Sequence, residues 1–205
     1  IDDILEQDPL PSTCVIAGDV FDTYQGSHSA LIDAEIAIKR LRDAGIAVAG
    51  IAGNHDTPTQ ALKTPAFRVL MDTFEDIVGD DGVTLAYDSV KKMIVGDVEY
   101  VLLPHSCCLH EIDIETLRPS GNAARNVLVV HGVAAGDPSL QQHDEMKEVP
   151  IKRSILEMGW DYVAFGHYHK PGWIPGYEGV AAYSGSLENT VISGPDVCMR
   201  RGPVY

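Results

Sequence analysis

Thr13-Cys14-Val15-Ile16-Ala17-Gly18-Asp19 is a short apolar run that stops on a glycine and a carboxylate. A run of this length without polar alternation reads as a strand buried on both faces. Downstream the period changes. Leu31, Ala34, Ile38 and Leu41 recur at helical spacing between Ser29 and Ala44, with Ser27 or Ser29 placed to cap the start and Gly45 the end. Ile46 to Ile51 is a second buried-strand run, closed by Gly53-Asn54. Strand, helix and strand within about 40 residues form a βαβ crossover, which calls for a parallel pair. The fold class is therefore α/β.

Working outward, Phe67, Leu70, Met71 and Phe74 predict a helix from Ala66 to Ile77. Residues 79–104 read as antiparallel: a turn over 79–82, strands Val83–Tyr87, Met93–Val95 and Glu99–Leu103, and a turn at Gly96-Asp97. Val127–Val130 is the next buried strand, residues 135–149 a polar surface loop, and Ile151–Met158 a helix ended by Gly159. Strands Tyr162–Phe165 and Val180–Tyr183 follow. No linker interrupts these elements, so residues 1–205 read as one domain, a mixed β-sandwich with flanking helices. Ile1, Ile4 and Leu5 have the spacing of a helical face that Pro9-Leu10-Pro11 would stop, and Arg201 to Tyr205 read as a strand being entered. The chain does not start with Met, and we expect a core domain truncated at both ends.

The 205 residues, 45% apolar, suffice for a sizeable core. No apolar run approaches the roughly 20 residues of a membrane span, which points away from a membrane. Cys14, Cys107, Cys108 and Cys198 form no C-x-x-C, and the adjacent pair is a poor disulfide. A reducing, cytoplasmic setting is expected. The net charge of −15 argues against gripping a phosphate backbone by charge alone. The excess is uneven: residues 1–120 carry 21 acids against 8 bases, and residues 121–205 carry 9 against 7.

The polar residues that follow buried strands carry the chemistry. They are Gly18-Asp19-Val20-Phe21-Asp22, Gly53-Asn54-His55-Asp56, His131-Gly132 and Gly166-His167-Tyr168-His169. In open α/β sheets, ligands bind beyond the carboxyl ends of strands, where such loops converge. Each motif alone is what an ordinary turn, helix cap or loop histidine would provide; four in order, with compatible donors, are not. Asp19, Asn54, His131, His167 and His169 are all N or O donors, a set suited to catalytic Mn²⁺, Fe or Zn rather than to a structural zinc knuckle. An extended Gly-His-Tyr-His would point both imidazoles to one side, roughly 6–7 Å apart, a span that serves two ions about 3.5–4 Å apart. Asp19 can bridge them. The second ion then has Asp19, Asn54, His131 and His167, while the first has only Asp19 and His169. His28, His105, His110 and His143 lack this context and read as surface or loop residues, His105 after Leu103-Pro104 being the one to re-examine.

In these residues the chain resembles the calcineurin-like metallophosphoesterase superfamily, whose pattern is D-x-H, G-D-x-x-D, G-N-H-D/E, H and G-H-x-H. The likeness spans about 170 residues. Gly18 to Asp22 and the segment Tyr183-Ser184-Gly185-Ser186-Leu187-Glu188 are most similar to SbcD-type DNA-repair exonuclease subunits. The resemblance implies a two-metal phosphodiesterase, usually Mn²⁺-dependent, in which the ions polarise the scissile phosphate and activate a water. It implies that His55 stabilises the transition state or protonates the leaving oxygen, that Asp56 orients His55, and that Asp22, Ser184 and Ser186 lie near the substrate. It also implies DNA as substrate, an SMC-type ATPase partner and a homodimer. The departure is the first motif: no D-x-H precedes Asp19, so the fold would lack its first strand and the first ion two ligands. Weak or no turnover is expected from these residues alone. The alternatives are a nucleotide or small-molecule phosphodiesterase or phosphatase of the same superfamily, favoured by the acidity, and a non-catalytic scaffold on this fold.

Overall fold

The structure, a computed structural model, describes residues 1–58, 64–75, 82–109, 117–135 and 150–187. The expected loop over 136–149, the helix end at Ile77, residues 79–81, His110, His143, Glu188, Cys198 and the final strand entry lie outside them.

The opening crossover forms as its sequence dictates. Strand β1 (Thr13–Ile16) pairs in parallel with β2 (Ala47–Ile51), joined by a helix over His28–Asp43 whose first turn is capped by Ser27 Oγ accepting from the Ala30 N–H. A short helix, α1 (Asp2–Leu5), precedes it, so we number the crossover helix α2; α1 sets Ile4 and Leu5 against the α2 side of the core. Helix α3 (Ala66–Glu75) then buries Ala66, Phe67, Leu70, Met71 and Phe74, the stripe its spacing predicted.

β3 (Val83–Ala86) pairs in parallel with β2, completing a three-stranded sheet in the order β1-β2-β3. This corrects the antiparallel reading of residues 79–104, which holds only for β4 (Lys91–Val95) and β5 (Val98–Leu103). After β3 the chain leaves one sheet and begins the other; strand composition alone does not name a pairing partner. β6 (Arg125–His131), β9 (Tyr162–Gly166), β10 (Gly172–Trp173) and β11 (Ala181–Tyr183) complete a six-stranded sheet in the order β10-β11-β9-β6-β5-β4. A minor parallel pair joins β7 (Val133–Ala134) to β8 (Pro150–Ile151). The expected helix over Ile151–Met158 is instead β8 followed by a 3₁₀ turn, Arg153–Glu157. Helix α4 (His105–Leu109), an element the sequence reading did not anticipate, follows β5 after Pro104.

The alternation along the strands makes the layers. Val48 on β2 and Ala52 just beyond it face α2 and α3, whereas Ala49 and Ile51 face the second sheet. On β6, Leu128 and Val130 face the outer cluster with Ile155, Leu156 and Trp160, and Val129 faces inward. The result is the expected sandwich of two sheets with helical segments outside, a metallophosphoesterase-type α/β architecture. The parallel strands β1, β2, β6 and β9 all run to the same edge, which therefore receives their loops. Among the described residues β1 pairs on one side only, with β2. No helix among them is long and apolar enough to cross a membrane.

Candidate metal centre

Four sequence motifs meet at that edge. Asp19 follows β1, Asn54 follows β2, His131 is the last residue of β6, and His167 follows β9. Ligand atoms of Asp19, His131 and His167 all lie within 4.8 Å of one another. Asn54 Oδ1 is 2.8 Å from His131 Nε2 and 3.1 Å from His167 Nδ1. Asp19 Oδ2 is 3.2 Å from the same His131 Nε2.

The orientation of His131 is fixed from the other side. Its Nδ1 is 2.7 Å from the carbonyl oxygen of Ala17, which can only accept, so Nδ1 carries the hydrogen and Nε2 faces the cluster. A buried imidazole whose far nitrogen donates to a main-chain carbonyl is the usual arrangement of a metal-ligating histidine. The carboxylate, the amide oxygen and the imidazole nitrogens thus stand close together, and a divalent cation would satisfy all of them at once. The donor set fits such an ion: nitrogen and oxygen only, one of them anionic.

The approach of these groups depends on missing side chains. A Cβ on Gly53 would lie 2.2 Å from Asp19 Oδ1, and one on Gly166 would lie 1.8 Å from the Ala17 carbonyl oxygen that holds His131. Two of the candidate ligands also sit in the left-handed backbone region, Asp19 at φ 52° and His167 at φ 101°. For residues with a Cβ this is strained, and such strain gathers at functional sites. It also corrects the extended reading of Gly-His-Tyr-His. With His167 in that conformation the two imidazoles do not project as strand neighbours; His169 is exposed and outside the close cluster.

Burial pushes the Asp19 carboxyl up, but the neighbouring His131 and His55, the latter through its main-chain N–H, outweigh it, and the pKa is lowered. The site thus favours the anionic carboxylate that a cation needs.

The remaining predicted residues frame this cluster. His55 is exposed, and its Nδ1 donates to the Asp22 carbonyl at 2.6 Å; that bond, against partial burial and with the nearby carboxylates, raises its pKa. Its main-chain N–H donates to Asp19 Oδ1 at 2.9 Å. Asp56, expected to orient His55, is fully buried, and its hydrogen bonds go to the main chain. Its carboxylate accepts from the N–H groups of Val20, Phe21 and Gly53 at 3.2, 3.0 and 2.9 Å, clamping the two ligand loops together. Burial, opposed by those three N–H groups, raises its pKa. The Asp22 carbonyl, rather than Asp56, orients the ring. Ser184 and Ser186 adjoin the fifth motif through their backbones, with Ser184 N donating to Phe165 O and Ser186 N to His169 O at 3.0 and 2.9 Å.

His105, read from sequence as a surface or loop residue, is half-buried at this edge, its ring centroid 6.1 Å from that of His131. The signal that found the other residues, a polar side chain just beyond a buried strand, applies to it as well; the proline in place of a glycine concealed it.

No family model matches the chain. Similar curated proteins are the DNA double-strand break repair protein Mre11 of three archaea. That of Methanococcus maripaludis is 26% identical over 196 residues, covering 94% of this chain and 50% of that protein. That of Saccharolobus solfataricus is 27% identical over 157 residues, 75% of this chain and 37% of its own length. That of Methanocaldococcus jannaschii is 25% identical over 183 residues, 87% and 46% respectively. The chain thus spans about half the length, or less, of the curated relatives it matches. In its sequence over most of its length the chain is similar to the Mre11 repair proteins, and its mixed α/β sandwich is that of a metallophosphoesterase fold.

Proposed function

We propose that this chain is the phosphoesterase core of a two-metal nuclease of the SbcD and Mre11 kind that cuts DNA in double-strand break repair. The observation that carries this reading is the convergence of Asp19, Asn54, His131 and His167 from four separate strand ends onto one point. When bound, divalent ions supply charge for the scissile phosphate and activate a water; the oxygen and imidazole donors suit Mn²⁺, with Fe or Zn as alternatives. The chain's own residues do the rest. Asp19, Asn54, His131 and His167 would hold one ion, with Asp19 shared toward His169 and the other. His55, its Nδ1 committed to the Asp22 carbonyl, has Nε2 left to stabilise the departing oxygen and give it a proton. Asp56 keeps the two ligand loops at a fixed separation. Asp22, Ser184 and Ser186 lie on the loops a substrate strand would cross.

Among the described residues the first ion would have only Asp19 and His169, and β1, which leads to Asp19, pairs on one side only. Both support the expectation that these 205 residues turn over weakly until further ligands are added beside β1. A homodimer and an SMC-type ATPase partner complete the proposal.

The net charge of −15 favours a second reading, a nucleotide phosphodiesterase, because a small substrate needs no extended basic groove. Cleavage of linear duplex DNA and of bis-(p-nitrophenyl) phosphate by the full-length protein in Mn²⁺ separates the two. DNA cleavage that is lost in His55→Ala supports the nuclease. Hydrolysis of the small diester or of nucleotides without DNA cleavage supports the second reading. Absence of both, with His55→Ala leaving cellular function intact, supports a scaffold.

A further inference from the structure

We propose that Thr57 is a positioning residue for Asn54, and through it for the metal centre, a role that rests on the reading of that cluster as a metal site. Asn54 follows Gly53, and Gly53 is a glycine of necessity: a Cβ there would lie 2.2 Å from Asp19 Oδ1 and 2.5 Å from the Asp19 main-chain nitrogen. The close approach of Asp19 thus puts the most permissive of residues directly before a candidate ligand. Two side chains hold that glycine from opposite ends. Its N–H donates to Asp56 Oδ2 at 2.9 Å, and its carbonyl accepts from the Thr57 hydroxyl at 2.8 Å. The main-chain N–H of Thr57 reaches the Asn54 carbonyl at 3.4 Å, closing a turn over Asn54, His55 and Asp56.

The carbonyl that Thr57 holds belongs to the peptide group from which Asn54 departs, because the C=O of Gly53 and the N–H of Asn54 share one plane. Asp56 fixes the Gly53 N–H but leaves the following peptide free to turn about the glycine. The Thr57 hydroxyl removes that rotation. The turn so fixed carries Asn54 Oδ1, 2.8 Å from His131 Nε2 and 3.1 Å from His167 Nδ1, and the His55 N–H, which donates to Asp19 Oδ1 at 2.9 Å. Thr73 makes a bond of the same kind, its hydroxyl donating to the Val69 carbonyl four residues back at 2.9 Å, on α3, which carries none of the candidate ligands. There the bond repeats what the helix already fixes. Residues 53–57 lie in neither helix nor strand, so no regular ladder holds the Gly53 carbonyl in place of the hydroxyl.

Replacing a group that orients a ligand typically weakens metal binding about 10–100-fold. Thr57→Val keeps the shape of the side chain and loses the hydroxyl. In the full-length protein it is expected to fold, to bind Mn²⁺ at least about 10-fold more weakly in titrations followed by electron paramagnetic resonance, and to exchange the amide hydrogens of Asn54 and His55 faster than the parent. Thr57→Ser, which restores the hydroxyl, is expected to recover most of the affinity. Thr73→Val loses the matching bond on α3 and is expected to bind Mn²⁺ like the parent, which separates positioning from the general loss of a hydroxyl. Parent-like Mn²⁺ affinity in folded Thr57→Val would overturn the positioning role while leaving the metal centre standing, as would a Thr57→Ser protein that binds no more tightly than Thr57→Val. If Thr57→Val does not fold, Thr57→Ser binding no better than folded Thr57→Ala overturns it instead. Failure of the unmodified protein to bind Mn²⁺ would overturn the metal centre itself, and this role with it.

Discussion

Nδ1 of His131 lies 2.7 Å from the carbonyl oxygen of Ala17, a hydrogen bond that spans 114 residues of chain and joins the two sheets where the ligand loops emerge. It fixes the nitrogen presented to the cluster, and it is possible only because Gly166 leaves the space empty.

Gly166→Ala is therefore expected to disturb fold and site together. Its Cβ would lie 1.8 Å from that carbonyl oxygen and 2.8 Å from His131 Nδ1, so backbone must move. Overpacking of this kind costs about 1–3 kcal/mol. Urea unfolding should register that loss and an Mn²⁺ titration a weaker site, whereas Gly172→Ala, with nothing within 4 Å of its Cβ, should change neither.

Backbone strain and ligation can be separated at His167. His167→Gly removes a donor from the cluster but relieves a φ of 101°. Metal-free protein is expected to be as stable as the parent or up to about 1 kcal/mol more stable, with Mn²⁺ affinity lost. His131→Gly, which empties a buried position without relieving comparable strain, should lose stability and metal binding alike. A His167→Gly protein that keeps the parent's Mn²⁺ affinity would remove His167 from the ligand set.

Asp56 acts through three main-chain N–H groups on two loops. Asp56→Asn turns one accepting oxygen into a donor facing N–H groups, and a buried donor left without a partner costs about 1–3 kcal/mol. Thermal melts should show that loss, and hydrogen exchange at Val20, Phe21 and Gly53 should accelerate before the rest of the core.

His55 makes a pH prediction. The Asp22 carbonyl, against partial burial, holds its pKa above the ordinary value of 6.5, so the ring stays protonated at higher pH than a free histidine. In the proposed role of proton donor to the leaving oxygen, it would give DNA cleavage an alkaline limb, with the rate falling as pH rises through the raised pKa. His55→Asn should remove that limb and slow DNA cleavage roughly 10²–10⁴-fold. Hydrolysis of bis-(p-nitrophenyl) phosphate, whose leaving group needs little protonation, should suffer less. For folding the sign is the same: the stability gained by this raised pKa is full below about pH 6.5 and disappears as pH climbs through the folded value.

Much of this arrangement could be read before any coordinates. Thr13–Ile16, His28–Asp43 and Ala47–Ile51 lie within a residue or so of their sequence expectations because burial and helical period act locally. The gathering of Asp19, Asn54, His131 and His167 was legible for a related reason: parallel strands carry their carboxyl ends to one edge whatever their order in the sheet. Pairing was less legible. Val83–Ala86 adds to β2, although its nearest strand in sequence is β4, because the choice is made by packing across the sandwich. Two-residue strands such as Gly172–Trp173 exist only through their partners. At the site, the left-handed conformation of His167 and the main-chain duties of Asp56 depend on atoms dozens of residues distant, which a motif does not encode.

The bond from Ala17 to His131 bears on the order of assembly. Asp19 and Asn54 emerge from one sheet, His131 and His167 from the other, so neither half can gather the donors by itself. The centre comes into being only when the sandwich has closed in the correct register. An ion bound there would act as a latch on the finished fold, and its retention would report that the two halves have docked properly.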